Sequence, residues 1–546
     1  MSDSSPRPAA ARGAAVGGGP PGAEGPSLVR LSEPAGRWVV LTTVLGSAMA
    51  LIDSTVVNVA LPRIGLDLNA DLAVLQWTVN AYMLTLAGLI LLGGALGDRF
   101  GRRRVFVVGV VWFALASLLC GLAPSAGVLI AARALQGIGG ALLTPGSLAL
   151  IQSVIHPDDR ARAVGLWSGF GGVGAAIGPF LGGWLVDGPG WRWVFFINVP
   201  MAALCVPVAL RHVPETRDPA AHGRFDVLGA ALGALSLALV TYALIAAPAG
   251  GVSPAVVVPA VLGVLLGVAF IAVERRRPEP MLPLSLFSSR QFSAVNGVTL
   301  CVYAAFGGFF FLSVLDFQVV VGYSALEAGT ALLPTTVLML LLSARSGELG
   351  KRIGPRIPLT VGPLLCAAGM LLMTRAGVGA VYWRDILPAL LVMGLGMVVL
   401  VAPLTATVLA SVDVARAGLA SGINNAAARA AGLVAVAALP LLAGMSEEAY
   451  RSADRFSEAF RRAMPICAVV LVVGAFLAWS MVRSDVLKVP EAPEVPPPAP
   501  REGAGVPEEV TAAAGREERP CAPSRPQCAY HCGITAPPLD PGERQT

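Results

Sequence analysis

Asp53 and Arg133 are the residues with most chemistry to offer, because each stands in a long apolar run. Asp53 lies within the run 38–60, with no cation adjacent in sequence. A carboxylate in hydrocarbon is costly unless it is paired, hydrated or protonated. A carboxyl taken out of water favours its neutral form, which suits a group that loads and releases protons. The alternative is a structural hydrogen bond to a neighbouring helix. Arg133 is the only arginine in the run 127–151. A guanidinium cannot neutralise itself, so it needs an acceptor or a water-filled cavity. It reads either as the partner that tunes an acid such as Asp53, or as an anchor on backbone carbonyls. Arg429 is similar in kind but shallower, and snorkelling would also account for it.

A second group is cationic. The stretch Gly94-Ala-Leu-Gly-Asp98-Arg99-Phe-Gly101-Arg102-Arg103-Arg104 sets four arginines against one aspartate between two apolar runs. It must form a hairpin turn at a membrane face, and its arginines mark that face as cytoplasmic. Asp98, Arg99, Arg102 and Arg103 are therefore candidate gating residues. Carboxylates favour helix N-termini, so Asp98 is expected to cap the third helix or to pair with arginines of a neighbouring loop. Such a contact would close that face and release on switching; a solvated turn is the alternative. Gly178-Pro179 is expected to break its helix and join the gate. Gly165, Gly169 and Gly174, with Ala175 and Ala176, leave a face with almost no side chains, for a sliding contact or for simple tight packing.

Candidate substrate-binding residues are Asn58, Trp77, Asn80, Tyr82, Gln136, Phe306, Phe309, Asn424, Asn425 and Arg429, with Tyr303 and Phe310 beside them. Aromatics near span ends also fit interface belts. No catalytic constellation competes. There is no Gly-x-x-x-x-Gly-Lys-Ser/Thr loop, so no ATP is expected. Of four histidines, His156, His212 and His222 sit in loops. No enzyme activity, cofactor, metal site or nucleic-acid partner is expected. Cys528-Ala-Tyr-His531-Cys532 could hold a metal, but its irregular spacing and proline-rich surroundings argue against it, and no metal is expected. Cys120, Cys205, Cys301, Cys366 and Cys467 fall in apolar runs as small fillers.

The elements that must carry these residues follow from composition. Of 546 residues, 55% are hydrophobic and 13% charged, against about 25% charged in soluble domains. Mean hydropathy is +0.71. The chain reads as an all-α polytopic membrane protein of about fourteen spans between residues 38 and 482, each near the ~20 residues a crossing needs. Prolines interrupt the runs 254–273 and 327–344. With an even number of crossings and a cytoplasmic start, 24 Lys and Arg fall on the cytoplasmic side and eight outside, in keeping with the positive-inside rule. Residues 1–37 and 487–546 read as disordered cytoplasmic tails.

An internal repeat sets the architecture. Gly94-x-Leu-Gly-x-Arg99-x-Gly101-x-Arg103 recurs as Gly347-x-Leu-Gly-x-Arg352-x-Gly354-x-Arg356, with Lys351 in place of Asp98. Arg162-Ala-Val-Gly-Leu-Trp-Ser-Gly169 likewise echoes Arg416-Ala-Gly-Leu-Ala-Ser-Gly422. Two pseudo-symmetric six-helix bundles, 38–212 and 286–486, therefore flank a two-helix insertion at 213–285. Duplicated bundles with a site between them are a mark of secondary transporters.

The motifs resemble the major facilitator superfamily, in its fourteen-helix drug:proton antiporter branch. Leu51-Ile-Asp53-Ser-Thr-Val-Val-Asn58-Val-Ala-Leu-Pro62 is similar to that branch's first-helix signature, and Gly94 to Arg104 to the superfamily's loop motif. Arg133-Ala-Leu-Gln136-Gly137-Ile-Gly139-Gly140 resembles the fourth-helix motif, and Gly165 through Gly183 the fifth-helix antiporter motif. Trp191-Arg-Trp-Val-Phe-Phe-Ile-Asn198-Val-Pro200 resembles the entry to helix six. The resemblance covers about residues 38–485 and implies the major facilitator fold. It further implies proton-driven export of small amphipathic compounds through the bilayer; a monomer is expected. A dedicated exporter of one endogenous metabolite fits the same residues. A membrane sensor or passive channel is the rival of another class.

Overall fold

The computed structural model describes residues 28–218, 225–278, 280–413, 416–445, 450 and 452–487, all within one unit of the chain. The 521–532 cysteines and histidine and most of both expected tails lie outside the described residues. The long helices, numbered here in chain order, are α1 (Pro34–Asp67), α2 (Leu72–Phe100), α3 (Arg102–Gly121), α4 (Ala126–Val154) and α5 (Pro157–Asp187). Then follow α6 (Trp193–Phe196 and Asn198–His212), α7 (Val227–Gly250), α8 (Pro254–Arg276) and α9 (Arg290–Val319). The series ends with α10 (Ala325–Ala331 and Leu333–Ile353), α11 (Arg356–Leu372), α12 (Leu387–Ala410), α13 (Ala417–Leu442) and α14 (Ala453–Met481). Among the described residues, thirteen helices are long and apolar enough to cross a membrane. Glycine-rich α5 is not among them, yet its 31 residues rise about 46 Å, more than the ~30 Å of a hydrocarbon layer.

Helices are the natural outcome of such a sequence, since backbone groups in lipid must be satisfied within the segment. Side chains close several ends. Asp71 accepts from the Val74 amide at 2.8 Å to start α2, and Ser324 with Glu327 forms a capping box at α10. The expected proline interruption holds for α10, which breaks at Leu332 ahead of Pro334. It does not hold for α8, where Pro254 opens the first turn, the position where a missing N–H costs least. Part of the stretch expected to be an unstructured tail is also placed. Val29 bridges to Ile155, the Leu31 amide donates to Asp159 at 2.9 Å, and both apolar side chains are buried.

Helices α1–α6 pack on one another, as do α9–α14, while α7 and α8 pair together and α7 lies against both α2 and α13. The repeat is visible in the backbone. Gly101 joins α2 to α3 at φ 114°, and Gly354 joins α10 to α11 at φ 80°, a region open to glycine at little cost.

At the end opposite the 98–104 turn, several hydrogen bonds join the halves. There Asp187, at the end of α5, accepts from the amides of Ala325 (3.3 Å) and Leu326 (2.8 Å) at the head of α10. Gln318 of α9 donates to the Val59 carbonyl of α1 at 3.0 Å. Gln76 of α2 donates to the Val436 carbonyl of α13 at 2.8 Å. Gly329 and Gly183 let the α5 and α10 backbones approach so closely that a Cβ at either would strike main-chain atoms. Toward the arginine-turn end of the same helix, a Cβ at Gly165 or Gly169 would meet nothing within 4 Å. The small face of α5 is thus packed at one end and open at the other, not packed throughout.

Candidate functional site

Asp53 lies mid-way along α1 and is fully buried, as is Arg133 on α4. Arg133 Nη1 stands 2.6 Å from Asp53 Oδ2. The same nitrogen donates to Gln136 Oε1 at 2.6 Å, and Arg133 Nε donates to the Thr78 carbonyl of α2 at 3.1 Å. Asp53 Oδ1 accepts from Gln136 Nε2 at 2.7 Å and from Asn198 Nδ2, at the start of the second α6 segment, at 3.1 Å. Ser117 of α3 accepts from Asn198 (2.9 Å) and Gln136 (3.2 Å) and donates to the Phe195 carbonyl at 2.9 Å. The Arg133 guanidinium also sits 4.3 Å from the Tyr82 ring centroid, a cation–π contact that gains from being desolvated.

The acid and the arginine expected from sequence are therefore brought together, with both carboxylate oxygens satisfied. A buried pair is tolerable only when its remaining donors and acceptors are satisfied in this way. Chemically, the arrangement pairs a carboxyl group with a guanidinium, and Asp53 is the only acid bonded to Arg133 among the described residues. Gln136, expected on a substrate wall, is instead bonded to both partners. Sequence reasoning missed Ser117 and Asn198. Asn198 was visible as a polar residue ending an aromatic run, whereas a serine in an apolar run carries no signal.

The other expected residues fall into three settings. Asn80 and the Tyr82 hydroxyl are buried without a hydrogen-bond partner, as is the Asn58 Oδ1 atom. Arg429, half-buried on α13, has no ion pair or hydrogen bond among the described residues, and its charge acts on Tyr82 of α2 and Tyr303 of α9. These groups leave unsatisfied polarity on α1, α2 and α13, and α13 packs against both α2 and α9. Phe306 joins them through its ring contact with Tyr303 at 6.3 Å.

In the second setting the side chains are engaged elsewhere. Asn424 donates to Thr299 (2.7 Å) and Asn296 (3.2 Å) of α9. Phe309 is fully buried beside Phe310. Trp77 faces Tyr242 of α7, with centroids 6.4 Å apart. Asn425 is exposed and bonded to its own helix at Ser421.

The gating candidates form the third setting. Asp98 does not cap α3, whose N-cap is Gly101 with no side-chain bond, nor does its carboxylate pair with a neighbouring loop among the described residues. It sits in the last turn of α2 and holds Arg102, four residues on, at 2.7 Å. The turn is pinned instead by a segment that sequence reasoning passed over. Glu215 accepts from the Arg103 amide at 3.1 Å and lies 3.7 Å from the side chains of Arg103 and Arg104. Arg99 stacks on Phe225, 4.9 Å from the ring centroid. Gly178 lies against Thr55 of α1, and the Pro179 carbonyl is the atom Gly329 approaches. This pair therefore belongs to the sealed seam, inside an unbroken α5.

Comparison with known proteins bears on this geometry. The family model described as Major Facilitator Superfamily matches residues 43–437. The puromycin resistance protein pur8 of Streptomyces alboniger is 36% identical over 469 residues, covering 83% of this chain and 92% of that protein. The tetracenomycin C resistance and export protein of Streptomyces glaucescens is 37% identical over 414 residues, 74% of this chain and 76% of that one. A crystal structure of the peptide transporter POT in complex with sulfate superposes with a TM-score of 0.60 at 15% identity, covering 84% of this chain and 97% of that one. That last likeness speaks to fold alone.

Proposed function

The chain belongs to the Major Facilitator Superfamily, and from that premise we propose that it is a proton-coupled antiporter exporting amphipathic drugs or antibiotics across the cytoplasmic membrane by alternating access. The observation that carries this reading is the buried Asp53–Arg133 pair at 2.6 Å. Protonating Asp53 would leave Arg133 without its counter-ion, so the network of α1, α3, α4 and α6 has two charge states. Arg133 also stacks on Tyr82 of α2, whose buried hydroxyl has no hydrogen-bond partner among the described residues, so a change at the acid reaches α2 as well. The helices divide as 38–212, an insertion at 213–285, and 286–486, with both termini cytoplasmic by the arginine count. On that orientation the seam of Asp187, Gln318 and Gln76 is extracellular, and the open stretch of α5 at Gly165 and Gly169 faces the cytoplasmic side. The unit works as a monomer, and no ATP enters.

The test is Asp53→Asn in sealed vesicles with an imposed proton gradient. Folded protein should persist while uphill substrate movement is lost; unchanged transport removes the reading. Collapsing the gradient in cells expressing the wild type should raise dye accumulation, whereas a passive channel would be indifferent. A narrower reading, a dedicated exporter of one endogenous metabolite, is favoured by the relatives named for single antibiotics, puromycin and tetracenomycin C. A resistance screen across unrelated compounds separates the two by breadth.

A further inference from the structure

The two-helix insertion is a large element that the transport cycle above leaves without a task. Helices α2, α7 and α13 each pack against the other two, so α7 lies along the line where the first half meets the second. Helix α8 packs chiefly on α7. Of the described spans, α7 and α8 have the smallest buried share, so the pair stands on the outside of the α2–α13 seam. Within that seam Gln76 of α2 donates to the Val436 carbonyl of α13, and Leu91 of α2 lies against Gly422 of α13. Asn80, buried and unpartnered, is one turn from Gln76 on the same face of α2. If lipid chains entered this seam as it parted, both amides would face hydrocarbon, where an unpaired amide is costly.

The insertion holds the two halves in different ways. Toward the first half its contacts interlock. A Cβ at Gly88 of α2 would lie 2.8 Å from the Ala234 Cβ of α7, so these two helices approach closely. Trp77 of α2 faces Tyr242, and Phe225, just ahead of α7, stacks on Phe100 with centroids 5.8 Å apart. The segment leading to α7 is bonded to the arginine turn: the Arg102 amide donates to the Thr216 carbonyl at 2.9 Å, and the Asp218 amide to the Asp98 carbonyl at 3.0 Å. Helix α8 is fastened to α7 by Arg277, 3.0 Å from Asp226, and by Ser236, which donates to the Gly263 carbonyl at 2.8 Å. Toward α13, α7 makes no hydrogen bond, ion pair or ring contact among the described residues. Ser236 is engaged with α8, Tyr242 with α2, and the buried Thr241 hydroxyl has no partner. On the exit side the Leu282 amide donates to Glu274 of the insertion itself, and residues 283–289 still separate that bond from α9. Interlocked and hydrogen-bonded contacts resist displacement, whereas apolar packing alone permits the small sliding of a shear motion. We propose that α7 and α8 travel with the first half as one body, that α13 slides along α7, and that α7 thereby keeps lipid chains out of the α2–α13 seam as it parts and closes. Neither insertion helix packs against α5 or α10, so the α5–α10 seam has no such cover.

This inference rests on alternating access as proposed above, and its test has two readouts so that failures can be told apart. Spin labels on the full-length protein at Leu66 of α1, Val252 after α7 and Leu442 of α13, all exposed, give three distances at one end of the molecule. They are measured in vesicles from acid to alkaline pH, and again in Asp53→Asn. The Leu66–Leu442 distance should shift between states and the Val252–Leu442 distance with it, while Leu66–Val252 stays constant. If Val252–Leu442 is the constant distance, the insertion belongs to the second half and the proposal is overturned; it is equally overturned if all three shift. If none shifts, alternating access fails and the sliding fails with it. Separately, a bimane fluorophore on Leu91→Cys reports the seam against lipids with brominated chains. Quenching should be weak in the parent protein. Gly88→Leu, which drives a side chain into Ala234, should lengthen Leu66–Val252 and raise the quenching several-fold. Strong quenching in the parent, or weak quenching in Gly88→Leu once α7 has moved away, would show that α7 does not cover the seam.

Discussion

The two halves repeat one pattern but treat their buried charges in opposite ways. In the first half every charge near the centre has a partner: Asp53 takes three donors, and Arg133 has a carboxylate, an amide oxygen and a carbonyl. In the second half Asp316 has no donor and Arg429 no acceptor among the described residues. The same contrast holds at the arginine turns. The first is bound by Glu215, with side-chain exposure of 20%, whereas the second has an exposed Arg352–Glu348 pair and Arg356 lying on Trp479. The first network satisfies its own charges, whereas the second half leaves a buried acid and a half-buried arginine without partners among the described residues.

The harshest way to break this contrast is to make the first half resemble the second. Arg133→Met leaves Asp53 buried without its cation, a loss worth about 3–5 kcal/mol. Melting in detergent should drop sharply, and uphill transport should vanish. The double variant Asp53→Asn/Arg133→Met should recover most of the stability and none of the coupling, because paired apolar or neutral replacements remove the stranded charge. Equal melting of the single and double variants would mean that the pair is not electrostatically coupled.

A milder change acts on the second half. If Arg429 awaits an acceptor on the cargo, Arg429→Gln removes a charge-assisted hydrogen bond of about 1.5–3 kcal/mol. Equilibrium binding of acidic or acceptor-rich compounds should then weaken by roughly 10- to 100-fold, with purely apolar cations spared. Uniform weakening across both classes would mean that Arg429 is structural.

Much of the first half's logic was legible because charge in oil is rare and demands an explanation. Asp53 and Arg133 stood out for that reason, and the repeat of glycines 253 residues apart foretold two turns with the same backbone. What could not be read were partners set by helices crossing far apart in sequence. Ser117 meets Asn198 across 81 residues, and Asp187 reaches α10 across more than 130. Asp98 was assigned the wrong partner because the choice depended on where α2 ends. The helix runs on to Phe100, which puts Arg102 four residues beyond the carboxylate and leaves α3 to start from Gly101.

Asp187 tests whether the seam is the feature both halves share. Replacing it with Ala frees two amides at the head of α10, and losing a capping side chain costs about 0.5–2 kcal/mol. Hydrogen exchange at the Ala325 and Leu326 amides should quicken by roughly 2- to 30-fold, while Thr78 and Gln136, in the first half's network, keep their protection. Unchanged exchange at α10 would mean that the seam is held by the glycine contacts alone.

The smallest effect sharpens the comparison of the two turns. Glu215→Gln keeps an oxygen for the Arg103 amide but removes the charge facing Arg103 and Arg104, each 3.7 Å away. Partly exposed pairs of this kind contribute about 0.2–1 kcal/mol, so the melting temperature should fall by a few degrees at most. Glu348→Gln in the second turn, whose pair is exposed on both sides, should fall by less. Salt near 1 M shortens the screening length to about 3 Å, and under it the gap between the two variants should close. A Glu215→Gln deficit that persists in high salt would show that this turn is held by packing and the amide bond, and that the difference between the halves lies only at their centres.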